Sequence, residues 1–395
     1  MTGLLSQGPI FLLCLAFMLG IVVVIHELGH YLAGRFFGAA VESFSVGFGG
    51  SIFERTDSKG TRWRVNWIPL GGFVKFVGEH QTADDIGPDD AEHGQPAPVG
   101  KAYYDVGVGG RTIILLAGPV ANFILAIGLF AVIFGFNGTY ESRYVVSEIA
   151  AGQPADMAGM EAGDIFVAID GKPIERQVDI SMSVIYSTGV PLTMTMQRGS
   201  ELVDLIVTPE RVMRENEIGQ IVPQGTMGIR FGRMPDATTF KPLNPIEAVG
   251  QGVVQTGEVL STTTRMLGRI VTGQEPLGLL TGPVGIGDAG RRVVNMTMER
   301  TEIPLTDRLL SLLWQMLGIC AAVSVGIGFF NLLPLPILDG GHIVFNAYEA
   351  VTGSLLPERV QEYVLRAGII MLGVLFVFIT WGDILETGLF NGSAG

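Results

Sequence analysis

The chain has 395 residues, 48% of them hydrophobic and only 16% charged, with a mean hydropathy of +0.43. That composition excludes an ordinary soluble enzyme and allows several membrane spans with one or two extramembrane domains. A formal net charge of −13 and a pI near 4.9, with no basic stripe to offset them, exclude nucleic acid as a partner. The two cysteines, Cys14 and Cys320, lie in apolar runs and make neither a disulfide framework nor a zinc cluster.

The first apolar run, 10–36, is free of charge up to residue 25 and then reads His26-Glu27-Leu28-Gly29-His30. On a helix, positions i and i+4 share a face. His26 and His30 can therefore bind one Zn²⁺, while Glu27, one residue round, can reach a water on that metal. By chance an H-E-x-x-H turns up in roughly one of a few hundred chains of this length. Ionisable residues at bilayer depth, however, are rare unless they face a cavity, a partner or a metal. From residue 10 to His26 a helix rises about 24 Å against a hydrocarbon core of about 30 Å, so the metal belongs inside the membrane. The run is not read as a cleaved signal peptide, because residues 1–9 hold no Lys or Arg and the apolar stretch leads straight into the motif.

Arg35, Arg55, Lys59, Arg62, Arg64, Lys75, Lys101 and Arg111 follow before the second run, an excess that makes this loop cytoplasmic; Arg359 and Arg366 before the last run agree. Residues 41–79 read as strands, with Phe44, Val46 and Phe48 alternating, then Trp63, Val65 and Trp67, and Gly71-Gly72 before Phe73 and Val74. A hairpin beside the metal motif offers an edge to which an unwound peptide can add as a strand; the plainer reading is an ordinary surface sheet. His80 and His93 stand among Asp84, Asp85, Asp89, Asp90 and Glu92 and read as solvated.

The second apolar run, 113–136, contains Gly118-Pro119-x-x-Asn122, either a kink with one interhelical hydrogen bond or an element that packs and orients the core. From about Tyr144 to Arg233, β-like runs at 145–149, 165–169, 192–197 and 202–207 alternate with turns such as Asp170-Gly171, the pattern of a domain outside the membrane. Gln153-Pro154-Ala155, Ala162-Gly163-Asp164 and Ile169-Asp170-Gly171-Lys172-Pro173-Ile174 resemble a PDZ domain of the bacterial protease type. Such modules capture an extended chain end, here with Met227-Gly228-Ile229 flanking the groove. Residues 244–271 read as an amphipathic helix and 276–287, with Gly282-Pro283, as a glycine-rich segment; they either lie on the membrane and gate access or form a linker.

The third run, 309–330, leads to the remaining ligand that a zinc site needs. Asp339 follows Pro334 and Pro336, two prolines that no regular helix holds at that spacing. A straight helix from Leu312 would carry Asp339 about 40 Å, past the bilayer core. A break turns the chain back towards His26 and His30, and irregular backbone at that depth is tolerated where it lines a wet cavity. Two other readings stay open: residues 334–341 as a cytoplasmic turn with Asp339 as a helix cap, or His342 as the ligand, although a carboxylate better suits a two-histidine hydrolytic site. The fourth run is 364–381.

Taken together these residues resemble the site-2 protease family of intramembrane zinc metalloproteases. The match rests on H-E-x-x-H in the first span, G-P-x-x-N in the second, the PDZ-like module, and N-x-x-P-x-P-x-L-D-G from Asn331 to Gly340. The resemblance implies His26, His30 and Asp339 as Zn²⁺ ligands, Glu27 as general base and Asn331 as the group that assists at the substrate. It implies a multi-pass protein of the bacterial inner membrane, its active site near the cytoplasmic side and its PDZ domain periplasmic. It also implies a β-structure at 41–79 that guides substrate. The expected substrates are single-span membrane proteins, such as anti-sigma factors, cut after ectodomain trimming in regulated intramembrane proteolysis. Relatives that cut anti-sigma factors carry two tandem PDZ domains, whereas this chain has room for one.

The expected fold is thus a polytopic α-helical membrane protein with four transmembrane helices, a membrane-associated β-hairpin region and one extramembrane PDZ-like α+β domain. The divisions are 1–38 for the first span, 39–111 for the hairpin region and acidic loop, and 112–138 for the second span. Then come 139–234 for the PDZ-like domain, 235–308 for the amphipathic or linker region, 309–352 for the third span with its break, and 353–395 for the fourth span and tail. Partners are the substrate span, the lipid bilayer and a peptide or chain end in the PDZ groove. Two other functions fit parts of the pattern. A catalytically silent zinc-binding scaffold has no need of Glu27, and a metal transporter would show repeated polar positions and internal symmetry, which this sequence lacks.

Overall fold

The computed structural model describes residues 4–78, 98–141, 143–174, 177–215, 221–233, 239–273 and 293–386. His80, His93 and their acidic neighbours, and the segment 276–287, lie outside the described residues. In chain order the elements are α1 (Leu4–Phe36), β1 (Val41–Thr56), β2 (Arg62–Phe76), α2 (Val108–Asn137), β3 (Thr139–Glu141), β4 (Tyr144–Ile149) and α3 (Pro154–Met157). Next are β5 (Ile165–Ile169), β6 (Lys172–Pro173), α4 (Gln177–Tyr186), β7 (Leu192–Arg198), β8 (Glu201–Val207), β9 (Glu210–Glu215), β10 (Ile221–Thr226), β11 (Ile229–Arg233) and β12 (Thr239–Lys241). The chain ends with α5 (Pro245–Val271), α6 (Leu305–Asn331), α7 (Asp339–Thr352) and α8 (Glu358–Glu386). Two compact units result, one of Met1–Ile133, Val249–Gly268 and Leu280–Gly395, the other of Phe134–Ala248 and Arg269–Leu279.

The first unit is built on long apolar helices. Among the described residues, three stretches are long and apolar enough to cross a membrane: Val108–Asn137, Leu305–Asn331 and Arg359–Gly382. On the last of these Ile370, Val374, Phe376, Val377 and Phe378 are all exposed, as expected of a helix whose surroundings are lipid. Each helix runs a few residues beyond its apolar run, because the hydrocarbon core selects side chains while helical hydrogen bonding continues into the polar flanks. Helix α1 packs on α2 so closely that a Cβ at Gly29 would strike the Ala117 carbonyl.

Strands β1 and β2 pair along three stretches, one of which sets Ser43–Val46 beside Arg62–Val65. The outer arm runs from Ser51 opposite Asn66 to Thr56 opposite Arg62; the inner one runs from Val41 opposite Phe76 to Val46 opposite Gly72. Phe44 consequently has Val74 on one side and Trp63 on the other. Residues 72–76 are left with β1 on one edge and, among the described residues, no strand on the other. Val41 and Phe76 are buried with Tyr103, Val106 and Ile114, so an apolar cluster fixes this sheet to the start of α2.

The second unit is an antiparallel sheet in the order β11-β4-β5-β7-β8, with β6 on β5 and separate pairs β9–β10 and β3–β12. In β7 Leu192, Met194 and Met196 are buried, the period-2 face that packs on Ile180 and Val184 of α4 and on Val146 of β4. Asp170 (φ 50°) and Gly171 (φ 74°) both take left-handed backbone, which suits the tight β5–β6 turn and explains the Asp-Gly pair. Buried Asp164 accepts 2.7 and 2.8 Å hydrogen bonds from Arg198. Burial raises its carboxyl pKa, but Arg198 and the Glu161 N–H together hold it below the usual aspartate range. Ahead of α5, Asn244 Oδ1 accepts the N–H groups of Ile246 and Glu247 while Glu247 Oε2 accepts that of Asn244, a reciprocal cap.

Candidate metal centre

His26 and His30 lie one turn apart on α1, each 7% exposed, on the face turned to α2. The chain brings Asp339 to them by the proline break. Helix α6 ends at Asn331, Pro334 and Pro336 occupy the short irregular stretch that follows, and α7 starts at Asp339 itself. The start of α7 presses on the break: a Cβ at Gly340 would strike the Leu332 and Leu333 carbonyls, and one at Gly341 the Leu335 carbonyl. Glycines there let the aspartate reach the histidines.

The three donor atoms converge. His26 Nε2 stands 3.2 Å and His30 Nε2 3.4 Å from Asp339 Oδ2, and the two nitrogens are 3.1 Å apart. Ligands held about 2.0–2.1 Å from a tetrahedral zinc are about 3.3 Å from one another. Asp339 Oδ2 is buried without a hydrogen-bond partner, an expensive arrangement that a cation at the centre of the triangle would relieve. Two imidazoles and a carboxylate form a donor set that fits zinc and leaves one corner of the tetrahedron open.

Helix α2 supports this set. His30 Nδ1–H donates to the Ile114 carbonyl at 2.8 Å, which leaves Nε2 as the lone-pair atom. Pro119 has no N–H for the Leu115 carbonyl and loosens the turn before it, next to the carbonyl that His30 uses. At Gly118 a Cβ would strike His30 Nε2 and come within 2.9 Å of His26 Cε1. Asn122, fully buried, points its amide at His26.

The set opens on a cavity of about 330 Å³ lined by Glu27, Asn331, Phe73, Val74 and Phe76 among others. Glu27 faces the edge strand, with only 3.6 Å between its Cγ and where a Cβ of Gly72 would be. The Asn331 amide nitrogen is 3.5 Å from His26 Nε2. His342 sits on α7 with its ring edge-on to Phe345 at 5.7 Å and is not among the converging donors.

Sequence patterning alone missed the tether of the Asp339 helix. Arg111, only 2% exposed, donates to Glu349 Oε1 of α7 at 2.6 Å and to the Val106 carbonyl at 3.0 Å, and lies 5.2 Å from the centre of the Tyr104 ring. Asn346 adds a longer contact to Thr112 Oγ1, 3.4 Å. By its place in the sequence Arg111 is only one more flanking positive charge. A basic residue inside the first turn of an apolar helix, where it cannot be fully solvated, was the available signal.

A family model described as peptidase family M50 matches residues 14–375. The chain is similar to Metalloprotease MmpA of Caulobacter vibrioides, 35% identical over 396 residues and 98% of each chain. It is similar to a protein of Agrobacterium fabrum named "putative zinc metalloprotease", 35% identical over 367 residues and 93% of each chain. A protein of the same printed description from Rhizobium meliloti is 34% identical over 368 residues, 93% of this chain and 94% of its own.

Proposed function

Since the chain belongs to peptidase family M50, the site-2 protease family, and is a multi-pass zinc metalloprotease, we propose that it hydrolyses a peptide bond within or near the membrane span of single-span membrane proteins. In this reading His26, His30 and Asp339 hold the zinc, Glu27 is the general base and Asn331 assists at the substrate. The observation that carries it is the meeting of three donor atoms within 3.4 Å, one of them a buried oxygen without a hydrogen-bond partner, beside a cavity that Glu27 lines.

When bound, zinc acts as a Lewis acid that lowers the pKa of water and polarises the scissile carbonyl. Glu27 takes the proton from the attacking water and returns it to the leaving amine. Asn331 donates a hydrogen bond towards the oxygen on which charge develops. A substrate helix hides its carbonyls in its own hydrogen bonds, so the span has to unwind first. The edge at residues 72–76 is suited to hold it as an added strand, with Phe73, Val74 and Phe76 among the residues lining the cavity and Gly72 leaving room beside Glu27.

Helix α1, 33 residues long, serves as a further crossing, making four. The protein resides in a bacterial inner membrane with the metal nearer the cytoplasm. The sheet unit acts as a periplasmic PDZ-like module, taking a peptide or chain end along β11, the end strand of its sheet. Substrates, with anti-sigma factors as the type, are cut after their ectodomains are removed.

The test is incubation of the purified, detergent-solubilised protein and its Glu27→Gln variant with a single-span membrane protein lacking its ectodomain, with bound zinc measured for both. Cleavage within the span by the wild type is expected, with loss of roughly 10²–10⁴-fold in a variant that keeps its zinc. Zinc binding with no cleavage by the wild type of any trimmed substrate would favour a binding scaffold instead.

A further inference from the structure

Asn122 is fully buried on α2, and its amide nitrogen lies 3.2 Å from His26 Nδ1 while its Oδ1 has no partner. A histidine that gives Nε2 to a metal carries its remaining proton on Nδ1 and must donate it. With the amide nitrogen towards His26, two N–H groups would then oppose each other and a buried carbonyl oxygen would stay unpaired. Turning the amide by half a rotation exchanges two atoms of nearly equal size and cures both faults. The Nδ1–H then donates to Oδ1 across the same gap.

The surroundings hold Asn122 where this bond needs it. Ser324 of α6 donates to the Asn122 backbone carbonyl at 2.8 Å. Gly328 lets α6 approach so closely that a Cβ there would be 3.3 Å from Asn122 Cβ and 3.1 Å from the Pro119 carbonyl. The antiparallel run of α1 and α2 then gives each histidine its own acceptor, the Ile114 carbonyl for His30 and Asn122 for His26.

We infer that Asn122 is a positioning residue for the metal centre, whose Oδ1 accepts the Nδ1–H of His26 and thereby fixes the ring and the tautomer that present Nε2 to zinc. This rests on the zinc-site reading above. Partners of this kind are worth on the order of 10–100-fold in metal affinity.

The experiment measures zinc affinity by chelator competition on the full-length, detergent-solubilised protein, with thermal unfolding of the metal-free form alongside. Asn122→Leu keeps the volume and removes the acceptor; Asn122→Asp keeps an acceptor and removes the donor. The leucine variant should bind zinc on the order of 10–100-fold more weakly than wild type, and the aspartate variant should stay close to wild type. Its cobalt-loaded form should also keep the wild-type visible absorption bands, which the leucine variant should shift. A purely space-filling role reverses the order, because leucine fills the site and a buried carboxylate burdens it. Zinc bound as tightly by Asn122→Leu as by wild type, or as weakly by Asn122→Asp as by Asn122→Leu, overturns the inference. If the leucine variant does not fold, Asn122→Ala set against Asn122→Asp reads the same contrast. His26→Ala is the separate check: if it retains the zinc, the site reading itself is wrong and not the role of Asn122.

Discussion

In α2 the ring of Pro119 sits within a helix that runs unbroken from Val108 to Asn137, whereas at the end of α6 Pro334 and Pro336 separate Asn331 from a new helix that starts at Asp339. One proline removes one hydrogen bond and crowds one turn, a cost of about 3 kcal/mol that neighbouring helices in a membrane help to offset. Two prolines at this spacing remove two donors and push Leu333 and Leu335, the residues before them, out of the helical region. The outcomes serve different ends. Where the helix continues, it sets three features against His26 and His30: the Ile114 carbonyl, the space at Gly118 and the Asn122 amide. Where it stops, the chain turns back and brings Asp339 to the two histidines, in the proposed reading as a ligand.

The largest effect is expected from undoing the break. Replacing Pro334 and Pro336 together by alanine restores both N–H groups, allows α6 to extend past Asn331 and carries Asp339 away from the histidines. Bound zinc and cleavage should both fall to background. Wild-type zinc content in that variant would mean that Gly340 and Gly341 set the turn unaided. On the α2 side, Gly118→Ala drives a methyl group into the two imidazoles, and zinc should bind on the order of 10–100-fold more weakly. Gly128→Ala on the same helix meets no atom within 4 Å and should bind zinc as wild type does, so equal affinities in the two variants would sink the crowding argument. The smallest effect on zinc belongs to the tether between the two regions. Arg111→Leu leaves Glu349 without its partner and should cost roughly 3 kcal/mol of stability in thermal or denaturant unfolding. Arg111→Leu with Glu349→Leu should recover most of that loss.

The two regions also differed in how far they could be read from sequence. His26 and His30 share a helix face by spacing alone, and the proline pair before Asp339 forces a turn whatever surrounds it. Strands β5 and β7 stand where the β-like runs at 165–169 and 192–197 are bounded by turns, and the turn into β6 is at Asp170-Gly171. The acceptor of His30 is a backbone carbonyl 84 residues away, and Glu349 stands 238 residues from Arg111. Such pairings depend on how helices cross and carry no period or motif. The G-P-x-x-N motif was visible, yet a kink and an orienting element are spelled alike; only the position of α2 against His26 tells them apart. Likewise, Phe44 and Trp63 alternate as strand residues, but the return of both strands, which leaves residues 72–76 at the edge, is a property of the folded sheet.

The most direct measurement is zinc-edge X-ray absorption on the purified full-length protein and on its Asp339→Ala variant. The expected first shell is two imidazole nitrogens with oxygen in the remaining positions, all about 2.0–2.2 Å from the metal, and the variant should lose its zinc or one oxygen ligand. A sulfur scatterer at about 2.3 Å, or a shell unchanged in Asp339→Ala, would contradict a centre made by His26, His30 and Asp339.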